Sequence, residues 1–243
     1  MHRFFIDNSS IVDGAAALSA EESRHALKVL RLEDGDLVEA LDGAGGARLG
    51  TLRVRGENAF IELGEALSST EAPVSFTLYM GIPKGEKLEL VAQKLTELGA
   101  ARLVPVRMER CIAKIAPDEA EKKLQRPRRI SREAQKQSGR QSEMEICEPV
   151  DFKLLPEMIK RHQKTFLLWE NARGRRLWDE RQAYEDLTDI ACIVGAEGGI
   201  TEAEAGALSE AGAVPVTLGP RILRAETAAI ACAAEVMTLW GDI

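Results

Sequence analysis

The chain has 243 residues, 45% of them hydrophobic and 29% charged, with a net charge of −7. That is an ordinary globular composition with room for a sizeable core. No run of about 18 apolar residues offers a membrane span, and the opening MHRFFIDNSS has no basic-then-apolar leader, so a cytoplasmic protein is expected. Cys111, Cys147, Cys192 and Cys232 form no CxxC pair, and only three histidines occur, far apart. Neither a disulfide framework nor a His-rich metal site is predicted.

Residues 1–70 read as a mostly β domain. RFFI, DLVEALDG, ARLGTLRVRG and AFIELGEAL are short strand candidates separated by Gly and Asp/Asn turns, and strands at this spacing predict a small barrel or curled sheet. One helix is expected within SAEESRHALKVLRLEDGD, where Ser19 and Glu22 have capping-box spacing. Along it Arg24, Lys28 and Arg31 are four and three residues apart, which places them on one helical face. SSTEAP (68–73) is a polar linker.

From residue 71 to 243 the rhythm changes. VSFTLYMGI is a strand and KGEKLELVAQKLTELG a helix with the apolar stripe Leu88, Val91, Ala92, Leu95 and the stop Gly99. ARLVPVRM is a strand, and a basic segment follows that is predicted to be helical beyond Pro127. KTFLLWE, DIACIVG and AVPVTLG are apolar runs of strand length, with a helix, TEAEAGALSEAG, between the last two. Near-continuous apolar strands alternating with helices predict an α/β domain, a parallel sheet with helices on both faces. In the last helix Ile230, Ala233, Ala234, Met237 and Trp240 share a face that Ala229, Cys232 and Val236 widen. So wide an apolar face predicts burial from more than one side, within its own subunit or against a second copy.

The charge is unevenly spread. Residues 122–140 hold eight Lys/Arg and one Glu, a local +7, so the remainder of a chain of net −7 carries −14. A solvated helix face is the plain explanation of a charge run, but like charges at helical spacing with so little Glu to compensate repel one another. A polyanion is the expected partner.

Ligands of open parallel sheets sit beyond the carboxyl ends of the strands, which selects three places. LLWEN ends at Glu170-Asn171. IVGAEGGITEAE has Gly195, Gly198 and Gly199, which let a ligand approach the backbone, then Thr201 and Glu204 in capping-box positions. It is neither GxGxxG nor a P-loop, and Glu197 would repel phosphate. An adenosyl ligand carrying a sulfonium and an amino group suits it better; a turn chosen for geometry alone is the alternative. In LGPRILRAETA, Gly219-Pro220 forces a turn and Ile222 and Leu223 are apolar loop residues able to pack on a flat heterocycle. Glu226 suits the positive end of the final helix, whereas Arg221 and Arg224 do not; they need anionic partners, Glu197, Glu226 or a substrate phosphate.

GAEGGITEAE followed by LGPRILRAETA resembles the signature of the RsmE family, SPOUT-class methyltransferases that modify N3 of a uridine in small-subunit (16S) ribosomal RNA. HALKVLRLEDGD (25–36), KGEKLELVAQKLTELGA (84–100), RMERC (107–111) and REAQKQSGR (132–140) extend the resemblance over essentially the whole chain. Ala196, Ala225 and Arg129 depart from the residues common in the family at those positions. The resemblance implies a trefoil-knotted SPOUT domain after a PUA-like RNA-binding domain, a homodimer, and no metal. It also implies S-adenosyl-L-methionine bent among the three loops, at Leu168, Glu170, Gly195, Glu197, Gly198, Gly199, Leu218, Gly219, Ile222 and Leu223.

Uracil N3 must lose its imide proton before it attacks a methyl group. Arg221 and Arg224 are the candidates for stabilising charge on O2 and O4 or for gripping the target phosphate, and Glu197, before Glu226, is the candidate base. Because pairing hides N3, the target nucleotide must be unpaired or flipped out. Arg128, Arg132, Gln137 and Arg140 are expected to contact RNA, with Arg24, Lys28, Arg31 and, on the family pattern, His25 extending the track. Two rivals stand beside this reading: an RNA-binding protein with a vestigial pocket, and a nucleotide-using metabolic enzyme, which the missing GxGxxG and P-loop disfavour.

Overall fold

A computed structural model describes all residues except 114 and 173. Two compact units form, residues 1–71 with 135–143, and residues 72–134 with 144–243. The stretch 135–143, placed in the second domain on sequence grounds, clusters with the first. Glu71 accounts for this: its Oε2 pairs with Arg140 Nε at 3.1 Å, and its Oε1 accepts the N–H groups of Gln141 and Ser142 at 2.7 and 2.8 Å.

In the first unit β1 (His2–Phe5), β2 (Ile11–Val12), β3 (Ala15–Ala17), β4 (Leu37–Leu41), β5 (Ala47–Arg55) and β6 (Asn58–Ala66) form one sheet in the order β1-β4-β5-β6-β3-β2. Phe4, Val38, Leu52 and Ile61 are its fully buried centre. Helix α1 (Ala20–Arg24) begins as expected, with Ser19 Oγ accepting the Glu22 N–H at 3.1 Å. It then widens into a π turn over His25–Val29, and Arg31 has a positive φ of 55°. Burial of Ala26, with Leu30 and Leu32 packed on the same core, outweighs continuation of the helix. Arg24, Lys28 and Arg31 are therefore exposed but do not share one α-helical face.

The second unit contains a sheet of seven strands, all paired in parallel: β7 (Ser75–Gly81), β8 (Arg102–Arg107), β9 (Glu145–Ile146), β10 (Val150–Asp151), β11 (Lys164–Leu168), β12 (Asp189–Val194) and β13 (Val214–Val216). Its order is β10-β8-β7-β12-β11-β13, with β9 also on β8. Both faces are dry. On β12, Ile190, Cys192 and Val194 enter one core and Ala191 and Ile193 the other, so the apolar run in the sequence is buried on both sides. Helices α2 (Lys87–Glu97) and α6 (Ala225–Trp240) cover the first face; α4 (Leu155–Ile159) and α5 (Glu202–Glu210) cover the second. The stripe Leu88, Val91, Ala92, Leu95 is buried as its spacing requires, each large residue contributing about 2 kcal/mol. Gly99 ends that helix at φ 87°.

Helix α3 (Ala120–Ser138) starts seven residues before Pro127 rather than after it. Pro127 removes one backbone hydrogen bond, but Leu124, fully buried in the first-face core, anchors the turn ahead of it. Near the end of β13 the chain is flanked on two sides by one upstream segment: Trp169 N–H donates to Val216 O at 3.1 Å, and Leu177 N–H donates to Thr217 O at 3.1 Å.

Candidate functional site

Leu168, the last residue of β11, is in register with Val194 at the end of β12 and with Val216 at the end of β13. The three loops that follow thus leave neighbouring strands at one level. They enclose a cavity of about 400 Å³, lined by residues 168–170, 194–200, 216–225 and 228. Leu168, Glu170, Gly195, Glu197, Gly198, Gly199, Leu218, Gly219, Ile222 and Leu223 all line it, as do Arg221 and Arg224. Glu226 is not among the lining residues.

The glycines stand where backbone presses on backbone. A Cβ on Gly198 would lie 2.7 Å from Arg110 Cβ and 2.8 Å from Arg110 O, and one on Gly195 would lie 2.9 Å from the Gly199 carbonyl carbon. Gly199 itself has φ 73°, a conformation that only glycine adopts without strain. Thr201 and Glu204 form the reciprocal capping box at the start of α5, and the other carboxylate oxygen of Glu204 accepts the Glu109 N–H at 2.8 Å. This ties the 109–111 segment to the glycine loop, where Arg110 Nη1 donates to Gly198 O at 3.2 Å. On the third loop Thr217 Oγ1 donates to Gly219 O at 2.8 Å and holds the turn. Ile222 is 83% exposed at the rim, apolar surface that the protein leaves uncovered.

The charges are arranged differently from expectation. Glu197 Oε1 accepts the Lys84 N–H at 3.0 Å and Lys87 Nζ at 2.9 Å, and Glu226 Oε2 lies 3.2 Å from the same ammonium. Arg221 and Arg224 are exposed and make no ion pair among the described residues. Lys87, at the first position of α2, takes two of the partners offered to the arginines, Glu197 and Glu226, and leaves a substrate phosphate as the third. Burial works to raise the Glu197 carboxyl, but the hydrogen bonds from Lys87 and from the Lys84 N–H outweigh it and hold the group below the usual carboxylate range. A carboxylate so stabilised is a weaker proton acceptor, which counts against Glu197 as general base. Glu226 is turned toward Lys87 and is not among the residues lining the cavity.

Among the residues that escaped the sequence reading, two stand out. Trp169 lines the cavity with its Nε1 buried and without a hydrogen-bond partner among the described residues. Lys87 had a signal, a cation in the first turn of a helix, the same anomaly that marks Arg221 and Arg224.

The basic run is also rearranged. Arg126 pairs with Glu86 at 2.8 Å, Arg128 with Glu121 at 2.7 Å, Lys136 with Glu22, and Arg140 with Glu71. Arg140 is only 6% exposed and committed to its carboxylate, so it is not placed to grip a phosphate. Arg128 also donates to Ile146 O from Nε and Nη2. Arg132 and Gln137 are exposed; among the described residues Lys122, Lys123 and Arg129 are exposed without an ion pair. His25 is half-buried, edge-on to Phe4 at 6.3 Å between ring centroids, a packing role.

Residues 70–237 match the RNA methyltransferase domain family and residues 18–61 the RNA methyltransferase PUA domain. The chain is 30% identical to a Bacillus subtilis protein named ribosomal RNA small subunit methyltransferase E, over 94% of this chain and 93% of the other. It is 32% identical to the protein of that name from Mycobacterium tuberculosis, over 93% and 87%. Among solved structures it is similar to a Neisseria gonorrhoeae ribosomal RNA small subunit methyltransferase E bound to S-adenosyl methionine, with a TM-score of 0.87, 33% identity, and 100% and 99% coverage. A putative Legionella pneumophila methyltransferase in complex with the same cofactor gives 0.88 at 30% identity, over 100% and 99% of the two chains.

Proposed function

The chain belongs to the ribosomal RNA small subunit methyltransferase E family, and from that premise we propose that it transfers a methyl group from S-adenosylmethionine to N3 of a uridine in 16S ribosomal RNA. The observation that carries this reading is the register of three strand ends, which opens one ligand-sized cavity bounded by all three loops.

The residues present fit the cofactor. Leu168, Leu218, Ile222 and Leu223 offer apolar surface for an adenine ring, and the glycine loop admits a ligand close to its backbone. Glu170, which has no ion pair among the described residues, faces Gly199 across the cavity, its Oε1 3.7 Å from where a Cβ would stand. It suits ribose hydroxyls or an ammonium group. The cofactor supplies an electrophilic methyl on a sulfonium. The chain's part is to hold uracil N3 in line with it and to place Arg221 and Arg224, exposed at the cavity, against the uracil carbonyl oxygens or the target phosphate. With Glu197 held as an anion by Lys87, the imide proton leaves to water.

Lys122, Lys123, Arg129 and Arg132 with Arg24, Lys28 and Arg31 are the cations proposed to meet RNA phosphates. A homodimer would cover Ile230, Ala231 and Ala234, half-buried on α6. The flanking of Val216 and Thr217 by residues 169 and 177 supports the family's trefoil crossing.

The test is incubation with labelled S-adenosylmethionine and unmodified small ribosomal subunits, followed by mapping of the label. A methyl on uridine N3 is expected; label on another nucleotide or on protein overturns the substrate. A binding protein with a vestigial pocket would show no heat on titration with the cofactor.

A further inference from the structure

Lys87 opens α2 at the positive end of the helix dipole, an unfavourable place for a cation. Its ammonium is 2.9 Å from Glu197 Oε1 on the glycine loop and 3.2 Å from Glu226 Oε2 in the first turn of α6. The Glu197 contact is a hydrogen bond, and the same oxygen takes the Lys84 N–H, so the β7–α2 connection grips it through two donors. The Glu226 oxygen is buried and has no hydrogen-bond partner of good geometry among the described residues; what it receives from Lys87 is chiefly compensation of charge. One cation thereby joins three segments far apart in the sequence, two of which are walls of the cavity.

We infer that Lys87 is a positioning residue, a clamp that holds the glycine loop and the start of α6 at the separation the cofactor requires. The inference rests on the cofactor reading above. Loss of the ammonium would leave two carboxylates facing each other, one oxygen of them out of water, a far heavier cost than losing an exposed pair. The strain is relieved when the walls separate, and a cavity that the ligand must close again binds that ligand more weakly.

The full chain is compared with Lys87→Met, which keeps the aliphatic stem, with Lys87→Arg, and with Lys87→Met/Glu226→Gln, which removes the stranded charge. Cofactor affinity is read by calorimetry and wall mobility by hydrogen exchange over residues 195–200 and 221–228 without ligand. Lys87→Met is expected to weaken affinity by about 10-fold or more and to raise exchange in both stretches; Lys87→Arg stays within about 3-fold, and the double variant regains most of the loss. Lost packing alone would not be rescued by Glu226→Gln. If Lys87→Met does not fold, Glu197→Gln carries the test, with faster exchange expected at 195–200. Unchanged affinity and exchange in Lys87→Met, or a double variant no better than the single, overturns the clamp. If the parent chain binds no S-adenosylmethionine, the cofactor reading fails, and hydrogen exchange alone decides the clamp.

Discussion

The cavity and helix α3 hold charge in opposite ways. At the cavity the carboxylates Glu197 and Glu226 are compensated by Lys87 while the guanidinium groups of Arg221 and Arg224 stand exposed and, among the described residues, without ion pairs. Along α3 and the turn after it, Arg126, Lys136 and Arg140 are paired with glutamates brought in by other segments and Arg128 with Glu121 of the same helix. Lys136 and Arg140, matched by half-buried carboxylates, have little left to offer a phosphate, whereas Arg126 and Arg128 face exposed ones. The difference teaches that density of charge along a chain is a poorer guide to a partner than what each charge has next to it.

The largest effect that would sharpen the contrast is at Arg224. Arg224→Ala is expected to lower methyl transfer by about three orders of magnitude, with calorimetry showing cofactor affinity nearly unchanged; a collapse of affinity would move Arg224 into the cofactor's own contacts. Next is Gly198→Ala, whose Cβ meets Arg110 backbone. Cofactor affinity should fall by about 100-fold as the loop shifts, while far-UV circular dichroism stays that of the parent. On the other side of the comparison, Arg140→Met breaks a mostly buried pair and leaves Glu71 with its two backbone N–H donors, at a cost of about 2 kcal/mol in chemical denaturation. The salt dependence of RNA binding should hardly move. The smallest effect is Lys122→Ala/Lys123→Ala/Arg129→Ala, which should weaken RNA binding by about 10-fold and reduce the slope of log affinity against log salt by roughly 2. Parental stability is expected for that variant. If the triple variant binds RNA like the parent and Arg140→Met does not, the contrast between free and committed cations is broken.

Several features were legible because they depend on near neighbours. The near-continuous apolar run of DIACIVG, the stripe from Leu88 to Leu95, the Gly99 stop and the Thr201–Glu204 box each need only a few adjacent residues. So do the strained turns at Gly199 and Gly219, whose positive φ suits glycine. The misreadings share the opposite cause. The π turn at His25–Val29 exists because Ala26, Leu30 and Leu32 meet the sheet core. Pro127 lies inside a helix because Leu124 is buried ahead of it. Arg140 looked like a phosphate ligand until Glu71, about seventy positions away, took it.

The sequence by itself determined the alternation of strands and helices, the places where the backbone must turn, and the motif pair by which the chain resembles its family. Those follow from backbone sterics and side-chain periodicity, which act over a few residues. The tertiary structure alone decided that Leu168 aligns with both Val194 and Val216, that Lys87 stands between two carboxylates, and which cations of the basic run are spent on ion pairs. Electrostatic partners are chosen by proximity in space, and proximity is set by the register of strands far apart in the chain.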